Sequence, residues 1–299
     1  MKQPIIVTGA SGFVGSHLIP ALQKEKIPLI LLSHKKDLHF DKAGVEVVPV
    51  PEDCCGMIEL FQTKRPVGVI HLATCFAPVH SPGLIPDMIR SNIEFGTILT
   101  EASVKNGVKW FLNIGTFWQH YEGADYDPVN LYAATKQALE DIFAYYRHVS
   151  DIKIVTLCLN DTFGPGDTRK KIFPLWKELA EHPEKKMQMS PGEQIMDILY
   201  IDDVISGICL LKELLENEAP VISEQKIFYL SAKERHSLRE TAEIFEKILG
   251  RKLNIEWGGR PYREREVMNP TCTGILLPGW ENKFSLEDGI FKFLNGDSK

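Results

Sequence analysis

The sequence predicts an α/β protein: a doubly wound parallel sheet of the Rossmann type, with a smaller C-terminal α/β lobe. Three observations point to this. A short apolar run, Pro4-Ile-Ile-Val-Thr8, passes straight into a glycine-rich loop and then a helical pattern. Short apolar runs then alternate with helical stretches as far as residue 158, which is how βα units around a parallel sheet read. Beyond about residue 165 the alternation loosens. The expected division is therefore 1–165 as a dinucleotide-binding domain and 166–299 as mainly a substrate-binding lobe, with a segment near 197–215 returning to the first domain.

Residues 4–8 read as a strand buried on both faces, because the run is short, apolar and ended by glycine. The loop Gly9-Ala-Ser11-Gly12-Phe13-Val14-Gly15 opens a helix to about residue 24. Glycines let a backbone turn tightly and approach a pyrophosphate, and the helix N-terminus adds N–H groups and positive potential. Gly9, Ser11, Gly12, Phe13, Val14 and Gly15 are therefore expected around a dinucleotide, although their spacing is Gly-x-x-Gly-x-x-Gly. Residues 27–32 are the second strand. An acid that takes ribose hydroxyls usually follows it; here Ser33, His34, Lys35 and Lys36 follow. Serine and lysine suit a ribose 2′-phosphate, which a carboxylate would repel, so NADP(H) is expected over NAD(H). The other reading is a solvated basic turn.

Residues 45–50 are the third strand, and Glu52-Asp53 is either an adenine contact or a turn. A helix over 56–64 leads to a strand over 67–72. The small Ala73 and Thr74 after Leu72 leave room for a cofactor to pass. Residues 84–105 read as one helix with Asn92 and Gly96 inside it, and 108–114 as the fifth strand, ending at Gly115-Thr116.

Asn130-Leu-Tyr132-Ala-Ala-Thr-Lys136 reads as a helix start with Asn130 at the N-cap. Tyr132 and Lys136 share one helix face. A phenol beside an ammonium suits proton transfer, and the ammonium is expected to lower the phenol's pKa. Thr116 ends a strand where ligands bind and is placed to bond the oxygen that Tyr132 protonates. Phe117, Trp118, Gln119 and His120 lie between them, as sugar contacts or as loop packing; His120 is either a second acid or a contact residue. Residues 152–158 are the sixth strand and run into Asn160. Arg169-Lys-Lys171 either meets an anionic substrate or is a solvated helix start. Residues 196–204 are a short strand into a helix, capped by Asp202 or Asp203. Arg260, Tyr262, Arg263 and Arg265 cluster in sequence, and guanidiniums near a tyrosine suit a nucleotide diphosphate.

Composition excludes other classes. The formal net charge is −6 with no basic stripe, which argues against a nucleic-acid partner. Nine histidines and six cysteines show no metal-ligand spacing, so no metal is expected and the thiols read as reduced and cytoplasmic. No apolar stretch approaches about 20 residues, so no membrane span is expected, and the N-terminal run is too short for a signal peptide.

Taken together, Thr8-Gly9-Ala-Ser-Gly12-Phe-Val-Gly15, Thr116 and Tyr132-Ala-Ala-Thr-Lys136 resemble the extended short-chain dehydrogenase/reductases. Asn160-Asp-Thr-Phe-Gly-Pro-Gly-Asp167, Tyr200-Ile-Asp-Asp-Val204 and Trp280-Glu-Asn-Lys-Phe-Ser-Leu-Glu-Asp-Gly289 resemble segments of the nucleotide-sugar epimerase, dehydratase and ketoreductase branch. Gly-Thr-Phe-Trp-Gln-His-Tyr with Pro-Val-Asn-Leu-Tyr-Ala-Ala-Thr-Lys-Gln is most similar to the 4-ketoreductases of dideoxysugar pathways, the CDP-abequose synthase type. The resemblance implies a catalytic Thr116, Tyr132 and Lys136, with Tyr132 as proton donor and Lys136 on the nicotinamide ribose. It implies an NADPH-dependent reduction at C4 of a nucleotide-linked 4-keto-6-deoxy or 3,6-dideoxy hexose for surface polysaccharide, and a homodimer built on helices 84–105 and 130–148. Phe117 stands where the 4,6-dehydratases carry the second residue of an acid pair, and Met196 where many relatives carry arginine. Two other functions remain open: a 4-epimerase that keeps NAD bound, and a silent NADP(H)-binding regulator.

Overall fold

Six strands come first in the chain: β1 (Ile5–Thr8), β2 (Leu29–Ser33), β3 (Val45–Pro49), β4 (Gly68–His71), β5 (Trp110–Thr116) and β6 (Lys153–Leu159). In the computed structural model, which describes residues 2–34, 40 and 43–296, they form one parallel sheet in the order β3-β2-β1-β4-β5-β6. Ile227–Tyr229 and then Ile275–Leu276 extend it beyond β6, also in parallel. The strand order reverses between β1 and β4, and ligands bind at the C-terminal ends of strands beside such a reversal.

Period-two alternation explains the two layers. Ile5 and Val7 of β1 and Leu29 and Leu31 of β2 enter one apolar cluster; Ile6, Ile30 and Leu32 enter the other. The first layer holds α1 (Phe13–Lys24) and the helix Ile201–Glu216, through Leu18, Leu22, Val204 and Ile208. The second holds α2 (Cys54–Lys64), α4 (Phe95–Lys105) and α5 (Leu131–Val149), through Phe61, Leu99, Leu139 and Phe143. Strands buried on both faces must be apolar throughout, which is why β1 and β2 read as continuous runs.

Local chemistry settles several expectations. The Asp53 carboxylate accepts the Gly56 N–H at 2.8 Å, so it caps α2 and is not turned toward an adenine. The single helix expected over 84–105 is interrupted. A short α-helix, α3 (Ile85–Ile89), passes into a π-helical turn over Arg90–Glu94 before α4 begins. Such widened turns recur at functional sites, and this one carries Asn92, whose buried amide reaches the loop after β4.

Residue 165 does not divide the sheet, because two strands of the later half complete it. The helix Ile201–Glu216 lies against α1, where Lys212 Nζ bonds Glu25 Oε2 at 2.8 Å.

Neither Asp202 nor Asp203 caps that helix. Tyr200 is the N-cap, and both acids stand in the first turn. Asp203 is 1% exposed and accepts from Asn282 Nδ2 at 2.6 Å, Lys283 N at 3.0 Å and Phe284 N at 3.0 Å. The Trp280 indole N–H donates to the Asp203 carbonyl at 3.0 Å. The segments 200–204 and 280–289 therefore clasp each other through one carboxylate. Asp203→Ala leaves three donors without their charged acceptor and is expected to lower unfolding stability by about 3 kcal/mol. Urea unfolding at unchanged slope reads this; a loss below about 0.5 kcal/mol would count against the clasp.

Candidate active site

The glycine loop begins where β1 ends, and two of its glycines are required by contact. Gly9 has φ +71°, and a Cβ there would lie 2.6 Å from the Ala73 amide nitrogen. A Cβ on Gly15 would lie 2.3 Å from the Gly9 carbonyl oxygen. The N-cap of α1 is Gly12, which has no side chain to turn back on the first helical N–H groups. The loop, with Ser11, Phe13 and Val14, forms one wall of a cleft of about 550 Å³ over the C-terminal ends of the strands.

Ser33 and His34 line the same cleft, as do Leu72, Ala73 and Thr74. His34 packs against Phe95, ring centroids 5.5 Å apart. Lys35 and Lys36 lie outside the described residues. Beneath the floor, His71 Nδ1 is 2.8 Å from the Thr8 hydroxyl. Burial, reinforced by the nearby Lys136 ammonium, lowers the His71 pKa to about 3 and keeps it neutral.

Thr116, Phe117, Trp118 and Tyr132 line the opposite part of the cleft. Asn130 caps α5, its Oδ1 accepting the Ala133 N–H at 2.9 Å, which sets Tyr132 and Lys136 on the inward face. Thr116 ends β5 and accepts the Trp118 N–H at 3.4 Å, while its own N–H donates to Gln119 Oε1 at 2.9 Å. That reciprocal cap leaves the Thr116 hydroxyl hydrogen to donate elsewhere. Gln119 is buried as part of this brace and bonds Gln137 at 3.0 Å; it does not line the cleft. Nor does His120, whose Nδ1 is 3.2 Å from the Ala124 carbonyl.

The expected acidification of Tyr132 by Lys136 is not seen. Burial pushes the phenol up to about 12, with the Thr74 hydroxyl opposing. Burial brings the Lys136 ammonium down to about 8, with Cys158 and Glu140 opposing. The shared cause drives each group toward its neutral form. Lys136 is 3% exposed and sits behind the cleft wall. One turn on, Glu140 holds Thr156 at 2.5 Å and the Arg147 guanidinium at 2.7 Å.

Phe76 is a wall that sequence reasoning missed. Its ring meets Tyr132 edge-on at 4.9 Å, and Trp118 lies 5.9 Å away. The available signal was its place in the loop leaving β4 on the ligand-binding side of the sheet. Lys171 hangs 5.0 Å above the Phe76 ring and bonds Asp161 at 2.7 Å; both line the cleft.

Asn160 and Arg169 line the cleft too, but their polar groups are engaged. Asn160 Nδ2 donates to the Leu230 carbonyl at 3.1 Å. Arg169 forks onto the buried Asp167 at 2.7 and 2.8 Å, donates to the Thr162 carbonyl at 2.7 Å, and stacks 4.2 Å over Phe13. Its charge is balanced and it braces the glycine loop. Arg260, Tyr262 and Arg263 do not line the cleft. The Tyr262 hydroxyl accepts the Glu193 N–H at 3.0 Å, the Arg260 N–H donates to Met189, and the Arg263 guanidinium is 5.9 Å from the Trp118 ring. Arg265 pairs with Asp127 and stacks over Tyr121, so the segment leans on the loop after β5.

The sequence profile of the NAD dependent epimerase/dehydratase family matches residues 5–222. The chain belongs to that family, within the extended short-chain dehydrogenase/reductases. Epimerase/dehydratase relatives resemble it along nearly its full length. It is 26% identical to CDP-abequose synthase of Salmonella typhimurium over 300 residues, covering 98% of each chain. Its fold matches the UDP-glucuronic acid 4-epimerase of Bacillus cereus, solved with UDP-glucuronic acid and NAD, with a TM-score of 0.81 at 23% identity over 97% of this chain and 98% of that one. It also matches the UDP-glucose 4-epimerase of Thermotoga maritima, solved with UDP-glucose, with a TM-score of 0.80 at 21% identity over 97% of both chains.

The family implies a nicotinamide dinucleotide, and the residues present fit one. The cleft runs from Ser33 to Tyr132 past a helix N-terminus whose cap has no side chain, and its volume is in the range of cofactor sites.

Proposed function

We propose that the protein reduces the C4 keto group of a nucleotide-linked 4-keto-6-deoxy hexose, in its 3,6-dideoxy form, with NADPH. The observation that carries this reading is the neutral, buried phenol of Tyr132 beside Thr116 in a cleft with an aromatic wall. A phenol held near 12 keeps its proton at neutral pH, which suits a general acid for a forming alkoxide.

Hydride comes from the bound nicotinamide. Tyr132 gives its proton to the C4 oxygen, and the Thr116 hydroxyl donates a second hydrogen bond to that oxygen as charge develops. Lys136 holds the nicotinamide ribose from behind the wall. Gly9, Gly12 and Gly15 bring the backbone to the pyrophosphate. Phe76 and Trp118 face the sugar with carbon, which favours a deoxygenated ring over a fully hydroxylated one. Phe117, Asn160 and Arg169 line the substrate side of the cleft, and Gln119 braces Thr116 from behind it. NADPH is favoured over NADH because Ser33 and His34, rather than an acid, line the adenosine end of the cleft.

We further propose a cytoplasmic homodimer serving surface-polysaccharide sugar synthesis. Ile85 and Ile89 of α3 and Tyr145 and Val149 of α5 are exposed apolar groups on the expected pairing helices.

The test is cofactor consumption with CDP-, dTDP-, UDP- and GDP-linked 4-keto-6-deoxysugars, with and without a 3-hydroxyl, using NADPH and NADH in parallel. The expected result is stoichiometric loss of NADPH with one 3-deoxy member. Rearrangement of a non-keto sugar nucleotide, with no net cofactor loss, would replace this reading by a 4-epimerase. Inertness toward every member, with NADPH still bound, would point to a silent regulator.

A further inference from the structure

The aromatic wall of the cleft carries an ion pair. Lys171 is the N-cap of the helix Ile172–Glu181. Asp161 opens the short strand Asp161–Phe163, which pairs in parallel with Ile198–Tyr200. Both residues line the cleft, and each is held by an element of regular structure. Lys171 Nζ donates to Asp161 Oδ1 at 2.7 Å, and the same ammonium stands 5.0 Å from the centre of the Phe76 ring.

The pair has bonding capacity to spare. An ammonium has three hydrogens, and a carboxylate accepts at both oxygens. Among the described residues, the bond between them is the one side-chain hydrogen bond either makes. Two lysine hydrogens and Asp161 Oδ2 are left for a ligand. The pair is also within reach of a sugar at Tyr132. Phe76 meets Lys171 at 5.0 Å and Tyr132 at 4.9 Å. Those two distances together cap the separation of the ammonium from the phenol ring. A pyranose bonded to the phenol through its C4 oxygen is large enough to bridge such a gap, with its far edge at the pair.

We propose that Lys171 and Asp161 are specificity-determining residues that read one sugar hydroxyl, the one at C2. This rests on the reading of the substrate as a nucleotide-linked 3,6-dideoxy-4-ketohexose. Such a ring is joined to its nucleotide at C1 and retains a single hydroxyl, at C2. A hydroxyl accepts one hydrogen bond and donates another. Lys171 supplies the donor and Asp161 Oδ2 the acceptor, so the hydroxyl closes across the ion pair without separating it. Both bonds involve an ionised partner and are stronger than neutral ones. A keto or ring oxygen only accepts and leaves Asp161 unmatched. A uronate carboxylate meets the Asp161 charge and is repelled. The pair is neutral as a unit, so it favours a neutral polar group. Phe76 and Trp118 offer carbon to the deoxygenated positions, and the pair fixes which edge of the ring is turned away from them.

The experiment is steady-state kinetics on the full chain with saturating NADPH, the panel ketosugar it consumes, and the 2-deoxy analogue of that ketosugar. Removing the hydroxyl is expected to lower kcat/KM about 10- to 100-fold in the wild type. Asp161→Ala is expected to lower kcat/KM for the parent ketosugar by about the same factor, and to leave less than about a threefold difference between the two sugars, because the group that reads the hydroxyl is gone. Asp161→Asn keeps an acceptor and is expected to recover kcat/KM to within about fivefold of wild type. Lys171→Met keeps an unbranched chain over Phe76 and loses the donor; it is expected to lower kcat/KM about 10-fold while inhibition by the matching nucleoside diphosphate stays within about twofold. NADPH titration confirms that each variant is folded. Indifference of the wild type to the hydroxyl, or the same loss in wild type and Asp161→Ala, overturns the inference. So does a Lys171→Met chain in which the nucleoside diphosphate weakens in step with the sugar, which would put the ammonium on a phosphate. Retained turnover in Tyr132→Phe overturns the proposed function instead, so the two failures are distinct.

Discussion

Tyr132→Phe lowers turnover by about a thousandfold and leaves NADPH affinity within about twofold. The ring is buried against Phe76 and Trp118, so phenylalanine keeps the packing and removes only the oxygen. That oxygen carries the one proton the proposed reaction transfers to the C4 oxygen. Its loss removes the acid and not the cofactor cradle, which is built from α1, β2 and β4. Turnover within about tenfold of wild type would refute Tyr132 as the proton donor.

Gly15→Ala is expected to weaken NADPH binding about 100-fold while the chain stays folded. A Cβ at this position meets the Gly9 carbonyl at 2.3 Å and Ala10 Cα at 2.7 Å. Both are backbone atoms and cannot swing aside as a side-chain tip does. The loop must shift by a sizeable fraction of an ångström, and the turn that aims the first N–H groups of α1 shifts with it. Far from the loop the sheet is unaffected, so unfolding should remain cooperative. Titration of NADPH by fluorescence reads the affinity; a value within about threefold of wild type would show that the loop does not touch the dinucleotide.

What was legible in the sequence was local. The parallel strands announce themselves because both faces are buried, so Ile5, Ile6 and Val7 are all apolar. The glycine loop announces itself because backbone crowding at Gly9 and Gly15 admits no side chain. Thr116 and Tyr132 share a cleft because β5 ends and α5 begins on the same side of the sheet. What was not legible depends on distant partners. Phe76 becomes a wall only when α5 brings Tyr132 against it. Asn92 reads as one more polar residue in a helix until the chain folds Cys75 and Thr135 around it. The burial that raises Tyr132 and lowers Lys136 is a property of the whole layer, so the pair's spacing suggested the opposite shift for Tyr132. Arg169 is an instructive case. Asp167, two residues earlier, was visible in the sequence and balances the charge that suggested an anion partner.

The Asp203 clasp has a consequence for synthesis. The carboxylate leaves the ribosome about 80 residues before Asn282, Lys283 and Phe284, a delay of about 4–16 s at ordinary elongation rates. Throughout that interval the nascent helix Ile201–Glu216 carries an acid whose buried partners do not yet exist. The glycine loop and the first six strands can pair in the meantime, but Ile275–Leu276, the outermost strand of the sheet, arrives only just ahead of the clasp. The outermost strand and the amide donors that satisfy Asp203 therefore reach the fold almost together, late in synthesis.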